Sequence, residues 1–485
     1  MPTILASPHK AAMSAAPRAP IDERTIERLL SLAMARGADF AEVYAERTER
    51  TAASLEDGKI RSASFGVDQG VGIRAISGAK VGYAYSDALD GSSLDEAART
   101  AAHIAASGAS QVPPPLRAVA APMFYRVEEP LSTRDVEHKI ALLLRGDAAA
   151  RGYDSRVSQV MGAYVDQTRA IAVGNTDGHL AGDVQDLCRL HFQVVAVGHN
   201  GERRTGFYGG GGRVGLEFFD GFSPEAAARE AARQAVDTLG AVDAPAGPQT
   251  VVLAPGWSGI LLHEAIGHGL ELDFIRKKTS LFTGKLGEQV ASPKVTVIDD
   301  GTLQGSRGSI NVDDEGVPGE RKVLIEDGIL RGYMSDRLNA KLMGQRSSGS
   351  GRRESFRSAP MPRMTNTYLA TGEDAPEDIL HGVQRGLYCA HFGGGQVDIS
   401  NGNFVFEVAE AYLIEDGKIT RPVKNATLIG VGPEVLKQVT RVGNDPKPDP
   451  GIGTCGKDGQ MVPVGVGLPT VRIDGLTVGG TRVGA

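Results

Sequence analysis

Two histidines and a glutamate stand close together in Leu261-Leu262-His263-Glu264-Ala265-Ile266-Gly267-His268, within a chain that has only 10 histidines. The pattern is HExxxH. On an ideal α-helix, residues five apart lie roughly 140° apart around the axis, whereas residues four apart are neighbours. His263 and His268 could therefore bind one metal only if the helix loosens by a residue, as a π-turn does, or ends between them. Gly267 and Gly269 flank His268 and permit either. The competing reading makes Glu264 and His268, at i and i+4, a hydrogen-bonded helix pair, with His263 simply packed. A metal reading also needs a third ligand, because catalytic zinc usually has three protein ligands and an open position.

Cys455 is a candidate for that third place. It sits in Gly451-Ile452-Gly453-Thr454-Cys455-Gly456-Lys457-Asp458-Gly459, where four glycines let the backbone approach something closely. A thiolate ligand is one explanation; an exposed, unreactive thiol is the other. Cys188 and Cys389 lie in strand-like or apolar contexts and read as buried packing residues. His191 and His199 carry no assigned role, while His381 and His391 stand in reserve as ligands. The glycine clusters Gly209–Gly212 and Gly393–Gly395 lack the Gly-Lys-Ser/Thr or strand-to-helix context of a phosphate loop. They read as turns, or as strand edges passed closely by another backbone.

The elements that must position these residues follow from composition and patterning. At roughly 100–200 residues per domain, 485 residues suggest two to four domains. The 52 basic and 59 acidic residues leave a net charge of −7, a poor balance for direct nucleic-acid binding. No apolar run approaches the roughly 20 residues of a membrane helix, so no membrane partner is expected. Residues 1–20, rich in Pro, Ala and Ser without an apolar h-region, read as a flexible tail and not a signal peptide. Three scattered cysteines exclude a disulfide framework and fit a reducing, cytoplasmic setting. The 63 glycines and 5% aromatic content predict many tight turns between short strands.

The expected fold class is α+β: N-terminal α/β units with antiparallel meanders flanked by helices, then a β-rich C-terminal domain carrying one metal-site helix. Residues 21–110 read as helix, meander, helix, with a capping box at Ser93-Leu94-Asp95-Glu96. A linker at 111–126 contains Pro113-Pro114-Pro115. The order repeats over 127–242, with Ser132 capping one helix and Ser223-Pro224 opening the other. These are two related units or one composite domain. From 243 to 485 the chain turns to short strands. Hairpin turns are predicted at Asp57-Gly58, Asp177-Gly178, Asn200-Gly201, Asp300-Gly301, Asp327-Gly328 and Asp416-Gly417.

Four collinear segments resemble the TldD/PmbA family of zinc metallopeptidases, and its TldD branch in particular. They are LLHEAIGHGLELDF (Leu261–Phe274), PRMTNTYL (Pro362–Leu369), FGGGQVDI (Phe392–Ile399) and GTCGKDGQMVPVGVGLPT (Gly453–Thr470). The resemblance implies that His263, His268 and Cys455 hold Zn2+ and that Glu264 is the catalytic acid/base. Such a metal would keep one position open for the attacking water. It implies a cytoplasmic peptidase of unfolded or extended polypeptides, working as a heterodimer with a non-catalytic TldE/PmbA-like partner; a homodimer is the alternative assembly. Glycine-rich strands suit peptide capture by strand addition. The rival reading is a non-catalytic regulatory protein of the modulator-of-DNA-gyrase type, with a structural metal.

Overall fold

The computed structural model describes residues 19–106 and 112–480. Most of the tail expected at 1–20, and the start of the linker expected at 111–126, lie outside the described residues. The chain is α+β. It opens with α1 (Glu23–Ala33), whose N-cap Asp22 accepts from the Thr25 N–H and whose Ile26, Leu29, Leu30 and Ala33 are buried. The strands β1 (Phe40–Glu56), β2 (Lys59–Ser77) and β3 (Lys80–Ser86) then form an antiparallel meander, followed by α2 (Gly91–Ala105). The second unit repeats the order with α3 (Val136–Arg151), β4 (Val157–Asn175), β5 (His179–Val197), β6 (Arg203–Gly212) and α4 (Pro224–Asp237).

The two meanders are joined edge to edge. β1 pairs antiparallel with β4, giving one seven-stranded sheet. Four of its strands are 17 or 19 residues long, so the expectation of short strands fails here. Glycine serves close packing as well as turns. A Cβ at Gly206 of β6 would sit 2.0 Å from the Ala231 carbonyl of α4, and one at Gly82 of β3 would sit 2.0 Å from the Ala101 carbonyl of α2. Both helices bury alanine-rich faces, so helix backbone rests almost directly on sheet. Gly206→Ala is therefore expected to destabilise the fold by about 1–3 kcal/mol. Gly221→Ala, which opens onto free space, should change thermal melting little.

Two helix starts differ from expectation. Asp90, not Ser93, caps α2, and Asp135, not Ser132, caps α3; each carboxylate accepts an N–H three residues on. Ser223 caps α4 with Pro224 in its first turn. Among the predicted hairpins, Asp57-Gly58, Asp327-Gly328 and Asp416-Gly417 have positive φ at both residues, as type I′ turns require. Asp300-Gly301 makes no hairpin. Asp300 caps its own turn by accepting from the Thr302 N–H, and the chain returns to pair only at Arg321.

Beyond Gly247 the chain is β-rich, with short helices between strands. The strands β7 (Gly247–Leu253), β8 (Arg385–Val397), β9 (Asn403–Glu415), β10 (Thr427–Val431) and β11 (Val471–Gly479) pair in a closed ring: β8 to β7, β7 to β11, β11 to β10, β10 to β9 and β9 back to β8. Val251, Leu253, Leu387, Cys389, Phe404, Phe406 and Ile473 belong to the core around it. A separate six-stranded sheet contains Asn366–Leu369 in parallel pairing with Gly465–Leu468. The segment between β7 and this second sheet carries the HExxxH residues.

Candidate metal centre

After β7 the chain turns at Gly256, φ +97°, into a helix that changes winding three times. Trp257–Gly259 is a 3₁₀ turn, Ile260–Leu262 a single α turn, His263–Gly267 a π turn and His268–Leu270 a second 3₁₀ turn. The His268 N–H donates to the His263 carbonyl, five residues back. That extra residue per turn is what HExxxH needs to bring both imidazoles to one face. Packing holds the irregular turn in place. A Cβ at Gly267 would sit 2.1 Å from Met364 Sδ, and the Ala265 carbonyl lies 1.9 Å from where a Cβ at Gly432 would be.

The two rings stand nearly perpendicular, at 88°, with centroids 5.1 Å apart. Cys455 Sγ lies 3.3 Å from His268 Nε2. One donor atom from each of His263, His268 and Cys455 falls within 4.8 Å of the others, and all three side chains are buried. Cys455 is thus neither exposed nor solitary. His263 keeps a buried Nδ1 with no hydrogen-bond partner, while two imidazoles and a thiol are a donor set suited to zinc. The residues fit a metal.

Burial would raise the Cys455 thiol, but the facing His263 and His268 overcome it and hold the thiol well below its usual range. Burial would lower His268, yet Glu271 and Cys455 raise it well above the ordinary imidazole value. The partner of His268 is Glu271, its Oε2 3.1 Å from Nδ1. Glu264 Oε2 lies 4.0 Å from His268 Nε2, too far for the hydrogen-bonded pair of the competing reading. The Glu264 side chain stays 18% exposed beside the buried triad.

Cys455 arrives on a hairpin, Thr454–Lys457 against Gln460–Pro463, turned by Asp458-Gly459 with φ +48° and +74°. Three buried arginines grip its backbone. Arg307 Nε donates to the Gly453 carbonyl, Arg363 Nη2 to the Cys455 carbonyl at 2.6 Å, and Arg352 Nη2 to the Pro463 carbonyl. Sequence reasoning missed these residues together with Glu271 and Lys457. Their signal was present in part: Glu271, Arg363 and Lys457 lie inside the segments that carry the family resemblance, where no role was assigned to them.

The reserve histidines are elsewhere. His391 groups with Glu230 and Glu410, both bound by Arg233, and His381 is exposed. Cys188 and Cys389 are fully buried, and burial pushes each thiol up to about 12. The glycine run ending β6 is an edge crossed by backbone, since the Gly211 N–H donates to the Pro450 carbonyl.

The chain belongs to the PmbA/TldD metallopeptidase family: it matches the PmbA/TldA metallopeptidase domain 1 over 41–105, the central domain over 129–239 and the C-terminal domain over 246–480. On the TldD side, it is 48% identical to a metalloprotease TldD homolog of Haemophilus influenzae, over 95% of this chain and 97% of that one. It is 35% identical to a metalloprotease of Methanothermobacter thermautotrophicus, over 91% and 96% of the two chains. Among solved structures, a modulator of DNA gyrase from Thermotoga maritima shares the fold with a TM-score of 0.78 at 22% identity, covering 94% of this chain and 100% of that one. TldE from Thermococcus kodakarensis does so with 0.76 at 21%, covering 94% and 99%.

Proposed function

We propose that this chain is a zinc-dependent peptidase acting on unfolded or extended polypeptides, with His263, His268 and Cys455 as metal ligands and Glu264 as general base. The observation that carries this is the meeting of three buried donors at a π turn, with a part-exposed carboxylate alongside. When bound, zinc supplies Lewis acidity at the scissile carbonyl and the attacking water. Glu264 takes the proton of that water and passes it to the leaving amine, a role its exposure beside the triad allows. The buried triad shields its donors from bulk water and competing partners. Among the described residues the group offers three protein donors, as a catalytic site does, whereas a structural zinc is closed by four.

Substrate capture is proposed at β8. Its Gly393–Gln396 stretch is exposed, and the described residues give it a strand neighbour only on the β9 side, because pairing with β7 stops at Cys389. Trp257 Nε1 donates to the Phe392 carbonyl at 3.0 Å, tying this edge to the start of the site helix. A peptide added there would gain main-chain hydrogen bonds with little side-chain selection. The reading includes a cytoplasmic setting and a heterodimer with a TldE/PmbA-like chain, for which the TldE likeness is the support; a homodimer is the competing assembly. No helix among the described residues is long and apolar enough to cross a membrane.

The test compares one substrate protein in native form and after unfolding in urea and dilution. Fast cleavage of the unfolded form alone is expected. Equal cleavage of both would overturn strand capture.

A further inference from the structure

Lys457 stands two residues after Cys455 on the buried face of its strand, and Glu271 stands three residues after His268, where the helix gives way to extended backbone. Their side chains meet. Lys457 Nζ lies 3.0 Å from Glu271 Oε2, and the same oxygen lies 3.1 Å from His268 Nδ1. Lys457 also donates to Asp273 Oδ1 at 2.8 Å and to the Pro362 carbonyl at 3.1 Å, and its Nζ is 4.3 Å from the centroid of the Phe274 ring. Glu271 is 0% and Lys457 8% exposed.

Burying such charges is costly, and apolar side chains of similar volume would fasten the hairpin at least as well. The ionic chain adds direction. A carboxylate on Nδ1 fixes the ring's orientation and keeps a proton on that nitrogen, so that Nε2 is the nitrogen left to give up its proton to a metal. Nε2 is the atom that faces Cys455 Sγ. The chain of contacts also spans the two halves of the donor set, which are 187 residues apart in sequence.

We infer, given the metal reading above, that Lys457 and Glu271 form a latch that holds the His268 ring by its Nδ1, aims Nε2 at Cys455 and clamps the Cys455 hairpin to the helix, placing the donors before metal arrives. Both are positioning residues. Glu271 acts through His268, and Lys457 acts through Glu271 and through its own strand.

The test uses the full chain as wild type and as Lys457→Met, Lys457→Arg and Glu271→Gln. Zinc affinity is read by chelator competition, and site geometry by the absorption of the cobalt-substituted protein. Lys457→Met is expected to weaken zinc by about 10–100-fold and to alter the cobalt bands. Lys457→Arg, which keeps the charge, should restore most of the affinity. Glu271→Gln, nearly isosteric, should weaken zinc by roughly tenfold. If Lys457→Met fails to fold, Glu271→Gln and Lys457→Arg decide the matter. Wild-type affinity and an unchanged cobalt spectrum in Glu271→Gln and Lys457→Met would overturn the latch while leaving the metal site standing. A wild-type chain that takes up no metal would instead overturn the metal reading itself.

Discussion

Glu264→Gln is expected to stay folded and metal-loaded while peptide hydrolysis falls by about 10²–10⁴-fold or more. The substitution exchanges one oxygen for a nitrogen of nearly equal size, so the π turn that carries residue 264 has no reason to rewind. The side chain is part exposed, and its Oε2 is 4.0 Å from the nearest imidazole nitrogen, outside hydrogen-bond range. No packing or hydrogen bond to His268 is therefore lost with the carboxylate. What is lost is the proton acceptor, since an amide accepts no proton near neutral pH. Rates on an unfolded substrate and metal content, measured on the same preparation, give the answer. A wild-type rate would remove Glu264 as the base. Loss of zinc along with activity would make Glu264 a ligand instead.

The site could be read from sequence only up to the point where backbone irregularity decides. HExxxH has the wrong period for an α-helix, and that mismatch itself named the remedy: a loosened turn between His263 and His268. The structure supplies a π turn at that place. What sequence could not supply is the packing that stabilises such a turn, because Met364 and Gly432 reach it from distant parts of the chain. Cys455 was placed by the flexibility of its glycine neighbours, yet those neighbours also suggested exposure. The opposite holds, since Arg307, Arg352 and Arg363 bury the hairpin by binding its carbonyls. Buried arginines are rare enough that a sequence pattern assigns them to the surface.

The fold shows the same division between local and distant signals. Helix faces such as Ile26, Leu29 and Leu30, and turns such as Asp57-Gly58, are set by neighbours in sequence and were legible. Strand length was misread because glycine was taken as punctuation, whereas Gly82 and Gly206 lie inside strands where an alanine-faced helix presses on the sheet. The joining of β1 to β4 and the closure of β8 onto β9 and β7 are pairings between remote segments. No local period encodes them.

The wild-type chain is expected to bind about one zinc, and His263→Ala, His268→Ala and Cys455→Ala each to lose it. The three variants should differ in how well they fold without metal, and that difference separates donors from scaffold. Cys455→Ala leaves the hairpin intact, because Arg363 holds the residue 455 carbonyl and not its side chain. His263→Ala removes a ring whose Nδ1 has no hydrogen-bond partner, so its loss is felt at the Cys455 thiol, which keeps His268 as its other imidazole. His268→Ala is different: it strips one partner from the buried Glu271 carboxylate, leaving Lys457 alone to satisfy it. That variant should be the least stable in the metal-free state, by about 1–3 kcal/mol relative to the metal-free wild type. Zinc at 1,000 times its Kd stabilises a folded chain by about 4 kcal/mol, so thermal melting of the wild type should rise with added zinc and fall with chelator, while the variants should not respond. Full zinc retention by Cys455→Ala would remove the thiolate from the site. His391 could not take its place without breaking from Glu230 and Glu410, and exposed His381 would have to cross from the end of its own helix. A zinc-dependent melting shift in all three variants would show that the ion sits elsewhere.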